Sequence, residues 1–392
     1  MRRLISFLLA VLVVTGAASL PARGAEELPV ALSSPAAILM EAGSGRILLA
    51  KNEHAAMPPA SVTKLMLMLL VMEAVDSGRV KLTDLVTASP EAVKMGGSQI
   101  WLEQGEEMSI ADLMKAISIV SANDASVALA EHLSGSEENF VRLMNKRAKE
   151  LGLKNTVYIN CTGLTPDDAP AKRNLTSVYD QAILAREMLR HPSVLRWTGT
   201  WIDYVRGGQS FLRNTNNLVR FYDGCDGLKT GFTEEAGFCL IATAKRAGVR
   251  LIAAIMNAPT AQVRNAEIGK LFNYGFSQLK AFQFYRGGEV VARLPVRLGR
   301  QDTVPVRIAN ELAVVVGRDV TAAPKKAVIL PLKLTAPVKE GRVLGRVIVT
   351  IDGKECGRAD LVAAATVLRS GFWQTFGKIV AETVMSFFKR GG

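Results

Sequence analysis

The stretch Pro59-Ala60-Ser61-Val62-Thr63-Lys64-Leu65-Met66 decides how the rest of the chain is read. Ser61 and Lys64 stand three residues apart, a spacing that puts both on one helical face, a turn apart. A serine hydroxyl is a poor nucleophile at neutral pH and needs an adjacent base. Lysine serves as that base only where burial or a neighbouring cation lowers its pKa. Pro58 and Pro59 stop any upstream helix, and Ser61 suits the first turn of a new one. The apolar run from Leu65 to Met72 predicts a buried helix that holds the serine rigidly. Its N-terminal N–H groups favour negative charge developing there. The same Ser-x-x-Lys spacing recurs at Ser277–Lys280 and Ser386–Lys389, so the motif alone is weak.

Two further clusters lie downstream. Ser121-Ala122-Asn123-Asp124-Ala125-Ser126 packs two small hydroxyls, an amide and a carboxylate behind the apolar segment Ile117–Val120. One reading is a helix end with capping residues, the commoner use of these residue types. The other is a Ser-x-Asn loop whose serine relays a proton to a leaving amine and whose asparagine binds a substrate amide. Lys229-Thr230-Gly231 occurs once, in a segment with strand patterning. On an edge strand it offers a cation, a hydroxyl and a glycine that lets a ligand backbone come close, or it is an ordinary hairpin strand.

Around these clusters, residues 35–50 read as two short strands about the turn Ala42–Gly45, ahead of the Ser61 helix. Residues 80–165 are mostly helical in pattern, with a cap at Ser109. Residues 136–152, 176–190 and 262–280 read as further helices whose apolar faces belong to the core. Arg264 either reaches the site or is surface charge. From about 285 the texture changes to short, evenly spaced strands, a small all-β domain with no chemistry of its own. Phe372, Phe376, Ile379, Val380, Val384 and Phe387 then recur at helical spacing, interrupted by Lys378, Glu382, Lys389 and Arg390. That is the pattern of an interfacial amphipathic helix with a basic end, or of a helix docked on its own domain.

At 392 residues the chain holds about two domains plus extras. The net charge of +12 suits an anionic surface such as a membrane or acidic wall polymer, or serves solubility. No zinc-finger spacing, RNA-binding signature or Lys/Arg block points to nucleic acid. The four cysteines, Cys161, Cys225, Cys239 and Cys356, form no C-x-x-C pair. With three histidines and no H-E-x-x-H, nothing suggests a metal or another cofactor. Cys225 and Cys239 flank the Lys229 motif and are either a disulfide or free buried thiols. Residues 1–25 read as a secretory signal: Arg2 and Arg3, the apolar run Leu4–Val14, then small residues. An uncleaved anchor is the alternative, although the apolar run is short for a span.

Ser61-Val62-Thr63-Lys64, Ser121-Ala122-Asn123 and Lys229-Thr230-Gly231, in this order, resemble the three motifs of the penicillin-recognising serine acyl-transferases. Gly97-Ser98-Gln99-Ile100, Gly152-Leu153-Lys154-Asn155-Thr156 and Asp226-Gly227-Leu228 extend the likeness to the low-molecular-mass penicillin-binding D-alanyl-D-alanine carboxypeptidases. It covers nearly the whole mature chain.

The resemblance implies an α/β (α+β) transpeptidase-like domain, an antiparallel sheet flanked by helices with a helical subdomain. It places a signal peptide at 1–25, a serine D,D-carboxypeptidase domain at 30–280, an all-β domain at 285–367 and a membrane-anchoring amphipathic helix at 370–392. The protein is then exported to the outer face of the cytoplasmic membrane. Its substrate is the peptidoglycan pentapeptide stem, and β-lactams are its covalent inhibitors.

The resemblance also implies roles. Ser61 attacks the penultimate D-alanine carbonyl, and Lys64 takes its proton. Ser121 protonates the departing D-alanine, with Lys229 nearby. Asn123 holds the stem amide. Lys229 and Thr230 bind the terminal carboxylate beside Gly231. The N–H groups of Ser61 and Phe232 form the oxyanion hole. The charge of Lys229 is expected to keep Lys64 neutral. Cys161 and Asn174 depart from the pattern, standing where proline and often histidine are expected. Both are placed near the cleft rim, where they affect fine substrate preference.

A class A β-lactamase shares the motifs, but no Glu-x-x-Asn lies between Ser121 and Lys229. A D,D-endopeptidase and a catalytically silent wall-binding protein are the remaining alternatives.

Overall fold

The computed structural model describes residues 29–165, 172–371 and 376. The expected signal at 1–25 and nearly all of the expected tail helix at 370–392 lie outside the described residues. The chain divides into Met1–Ala31 and Leu32–Gly392, and the elements below belong to the second unit.

Five antiparallel strands form the central sheet, in the order Ile47–Lys51, Ala36–Glu41, Val249–Ala258, Gly237–Arg246, Cys225–Thr233. The expected hairpin of residues 35–50 is its N-terminal part. Ala37 pairs with Ile255 at the sheet's centre. Successive strand side chains point to opposite faces. Ile38 and Met40 therefore join the main core beneath helix Lys64–Asp76, while Leu39 meets the helix Ala261–Gln278 near Gly275. That last helix covers the sheet, as its apolar spacing predicts.

Helix Lys64–Asp76 is buried on almost every side, with Lys64 to Leu69, Val71, Met72 and Ala74 all inaccessible. A helix apolar all round belongs in a core. Ser61 itself sits one turn earlier than expected, in a 3-10 turn, Ala60–Thr63, rather than in the α-helix. Helices Ile110–Ile119, Asn123–Ser134 and Glu137–Glu150 pack alongside as a helical layer. Ser109 caps the first of them by accepting from the Asp112 N–H. The strands Leu85–Thr87 and Glu107–Ser109, hidden within a mainly helical pattern, pair into a small hairpin.

The strand Leu279–Tyr285 follows helix Ala261–Gln278 directly and pairs with Leu312–Gly317. Beyond it lies a six-stranded sheet in the order Lys325–Ile329, Val343–Ile351, Lys354–Ala363, Thr303–Ile308, Val290–Arg297, Leu334–Thr335. Val304, Val306, Ile308, Val347, Val349 and Leu361 fill its core.

The cysteines are free thiols. The strand register explains why: Cys225 faces Ala244 and Cys239 faces Gly231, so the two never oppose each other.

Candidate active site

The 3-10 turn and the helix after it bring the Lys64 Nζ within 2.9 Å of the Ser61 Oγ. Lys64 is wholly buried and also donates to the Thr162 carbonyl at 2.8 Å. Burial pushes its pKa down from 10.5 to about 7, against the opposing pull of Cys161 and Asp124. Desolvation, not the charge of Lys229, is therefore what makes this lysine a base near neutrality. The coupling shows instead on Lys229, whose pKa falls through burial first, then the charges of Lys64 and Arg264.

Ser121 has a left-handed backbone, φ 67°, at the break between two helices. Asn123 and Asp124 begin the second helix rather than ending the first. Ser121 Oγ and Asn123 Oδ1 are buried without a hydrogen-bond partner. An orphaned buried polar atom costs about 1–3 kcal/mol, a cost that a ligand donor or acceptor removes. Asn123 is held by its other groups: its N–H donates to Ser98 O and its Nδ2 to Gly96 O, both at 2.7 Å.

The strand Cys225–Thr233 closes the site. A Cβ on Gly231 would stand 2.7 Å from the Pro59 carbonyl and 3.0 Å from the amide nitrogens of Ser61 and Val62. The glycine is thus required first by the chain's own nucleophile turn, and not only for a ligand's approach. Thr230 Oγ1 lies 2.6 Å from Thr215 Oγ1, and Lys229 Nζ donates to the Thr230 carbonyl at 2.8 Å. Phe232 is half exposed and stacks on Phe238 at 4.3 Å.

The resulting cleft, about 400 Å³, is lined by Ser61, Ser121, Thr230, Gly231 and Phe232 among others. Lys64, Asn123 and Lys229 stand buried behind it. Ser98, Arg213, Asn214, Thr215 and Asn217 also line it and were not singled out as site residues. As a sequence, Asn214-Thr215-Asn216-Asn217 is merely turn-like. Arg264 is a cleft residue, buried, with its pKa lowered to about 10 by desolvation.

Cys161 and Asn174 are not on the rim. Cys161 is fully buried beside Lys64 and its N–H donates to Glu137 Oε1 at 2.8 Å. Asn174 Nδ2 donates to Thr63 Oγ1 at 2.9 Å. Asn174 thus braces the Ala60–Thr63 turn, and Cys161 lies against the lysine that follows it. A larger groove, about 570 Å³, lies elsewhere, between Glu41, Arg186 and Glu311, and is far from these groups in kind: it holds ion pairs such as Lys245–Glu311.

A serine bonded to a desolvated lysine, under a strand that packs on the serine's own amide, is the arrangement that a serine hydrolase requires. The comparisons with known proteins name the family. A profile described as D-alanyl-D-alanine carboxypeptidase matches residues 23–260, and one described as penicillin-binding protein 5, C-terminal domain, matches residues 280–369. The D-alanyl-D-alanine carboxypeptidase DacF of Bacillus subtilis is 40% identical over 95% of this chain and 96% of its own length. The crystal structure of penicillin binding protein 5 from Haemophilus influenzae, 31% identical, covers 87% of this chain and 99% of that one, with a TM-score of 0.64. Penicillin-binding protein D2 from Listeria monocytogenes in its ampicillin-bound form, 34% identical, covers 63% of this chain and 98% of that one, with a TM-score of 0.58. The chain belongs to the D-alanyl-D-alanine carboxypeptidase family of serine peptidases.

Proposed function

We propose that the chain removes the terminal D-alanine from peptidoglycan pentapeptide stems through an acyl-enzyme on Ser61. The observation that carries the proposal is the Lys64–Ser61 contact of 2.9 Å, with Lys64 neutral from about pH 7 upward. Lys64 accepts the Ser61 proton as Oγ attacks the penultimate carbonyl carbon. The oxyanion takes hydrogen bonds from the Ser61 and Phe232 N–H groups, an arrangement that typically supplies about 3 kcal/mol of transition-state stabilisation. The close fit of Gly231 against the Ser61 amide supports this pairing. The C–N bond then breaks as Ser121 gives its proton to the departing amine and takes in exchange the proton held on Lys64, which is neutral again.

Water adds to the ester as Lys64 takes its proton, and the C–O bond to Ser61 breaks as Lys64 returns that proton to Oγ, restoring the alcohol and releasing the acid. The orphaned Asn123 Oδ1 accepts from the stem amide N–H. Lys229, Thr230 and Gly231 receive the terminal carboxylate. Its negative charge draws a proton back onto Lys229, offsetting the depression caused by burial. β-Lactams enter by the same attack.

Mass spectrometry after penicillin treatment tests the assignment. The expected result is one adduct on the peptide containing Ser61, absent from Ser61→Ala; labelling retained in that variant refutes it.

The export and anchoring readings rest on sequence. Residues 1–25 supply a signal-like leader, and 371–392 carry aromatics at helical spacing with a basic end. Among the described residues no helix is long and apolar enough to cross a membrane. Deleting 371–392 is expected to release the protein from membranes; a truncated form that still sediments with them rules the tail out as anchor.

A further inference from the structure

The loop Gly96–Leu102, which borders the cleft at Ser98, is clamped from both sides. The buried Asp124 carboxylate accepts from the Ile100 N–H at 3.1 Å and the Leu102 N–H at 3.0 Å. Arg206 donates to the Ile100 carbonyl at 2.8 Å and the Trp101 carbonyl at 3.1 Å, and is itself paired with Glu106 at 2.7 Å. Between the clamps, Trp101 is held in the left-handed region, φ 53°, with its side chain 74% exposed. A bulky residue in that region carries strain, and such strain persists only where the surroundings over-determine it. The clamps fix the indole in place without covering it. Two depressions of about 460 Å³ flank the ring. One continues from Ser98 over apolar Ile100, Phe211 and Leu212, and the other holds Glu103 and Glu106. Glu106 there is paired with Arg206, so Glu103 carries the excess negative charge of this depression.

The loop is bonded to Asn123 through the Gly96 and Ser98 carbonyls. If Asn123 holds the stem amide, as proposed above, the residue just upstream of the D-alanine pair lies next to this rim. A diamino acid such as lysine at that third position would present a long aliphatic arm ending in an ammonium group. We propose that Trp101 and Glu103 form the subsite for this arm, the indole face covering the methylenes and cation, the carboxylate pairing with the ammonium. An exposed indole attracts an ammonium by its ring quadrupole, and a pre-held ring loses little freedom on binding.

The test uses the full chain and three pentapeptides that differ at the third residue: lysine, norleucine and alanine. D-Alanine release gives kcat and KM for wild type, W101A, W101F and E103Q. In the wild type kcat/KM falls from lysine to norleucine to alanine. W101A is expected to lower kcat/KM for the lysyl peptide roughly tenfold, chiefly through KM, and to shrink its advantage over the alanyl peptide to near unity. W101F keeps most of that advantage, and E103Q brings the lysyl peptide to the norleucyl value. A W101A loss equal on all three peptides, no loss on any, or a loss that follows the terminal D-residue when D-leucine replaces D-alanine overturns the subsite. If the wild type cleaves none of the peptides, the carboxypeptidase reading fails, and the subsite with it.

Discussion

The catalytic sheet and the C-terminal β sheet are both largely antiparallel, yet they are built on opposite plans. Strand Val249–Ala258 is buried over nearly its whole length and Gly237–Arg246 through its middle, whereas Thr303–Ile308 of the C-terminal sheet and Leu312–Gly317 of the adjoining pair alternate buried and more open positions. An antiparallel sheet usually leaves one face to water, and the C-terminal domain follows that rule. The catalytic sheet does not, because helices lie on both of its faces. The polar side chains differ as well. Among the described residues, every buried polar or charged side chain lies between Ser34 and Glu267, except Ser370. Buried polar groups are costly, and here they fall in the domain that holds the Ser61 cleft. The C-terminal domain is held by apolar packing.

Substitutions that separate these two plans span a wide range of effect. Lys64→Arg should cost the most, roughly a thousandfold in penicillin acylation, because a guanidinium stays protonated and cannot serve as base. In the wild type, acylation should rise about tenfold per pH unit on approach to pH 7 and flatten above it, as Lys64 loses its proton near that value. A profile flat from pH 5 to 9 would contradict the desolvated base. Gly231→Ala comes next, with acylation slowed some tens-fold because the new methyl pushes the strand off the Ser61 turn. Stopped-flow acylation rates check both.

Leu361→Ala, in the fully buried core of the C-terminal sheet, should cost about 3 kcal/mol of that domain's stability. It should leave penicillin labelling of the folded protein within about twofold. A labelling loss beyond that would mean the two regions are coupled. Reductant should do least: with every thiol free, dithiothreitol leaves the unfolding midpoint unmoved.

Legibility in the sequence followed the same divide. Alternation made Thr303–Ile308 and Val343–Ile351 readable as strands, since a period of two is visible residue by residue. Val249–Ala258, the middle strand of the catalytic sheet, was not read. Its run Leu251-Ile252-Ala253-Ala254-Ile255-Met256 shows no alternation, and alanine favours helix. In the site, the three motifs carried their residues because each is a local cluster of reactive groups. Ser98, Arg213 and Thr215 bear no such local mark, and only the closure of distant segments makes them cleft residues. Burial of Lys64 was expected from Leu65–Met72, but the source of its lowered pKa was misassigned to Lys229. Charge partners depend on three-dimensional distance, whereas an apolar run is visible in one dimension.

The pairing of Ala37 with Ile255 has a consequence for biosynthesis. The first strand of the catalytic sheet is made early, but its central neighbour emerges roughly two hundred residues later, so closing that loop is a late and entropically unfavourable event. Until then the strand Cys225–Thr233, which closes the cleft, and its partner Gly237–Arg246 have no Val249–Ala258 to join them to the first strand. A polypeptide ending before Val249 carries Ser61 and Lys64 but lacks the strand that ties the two ends of the sheet together, and is expected not to label with penicillin.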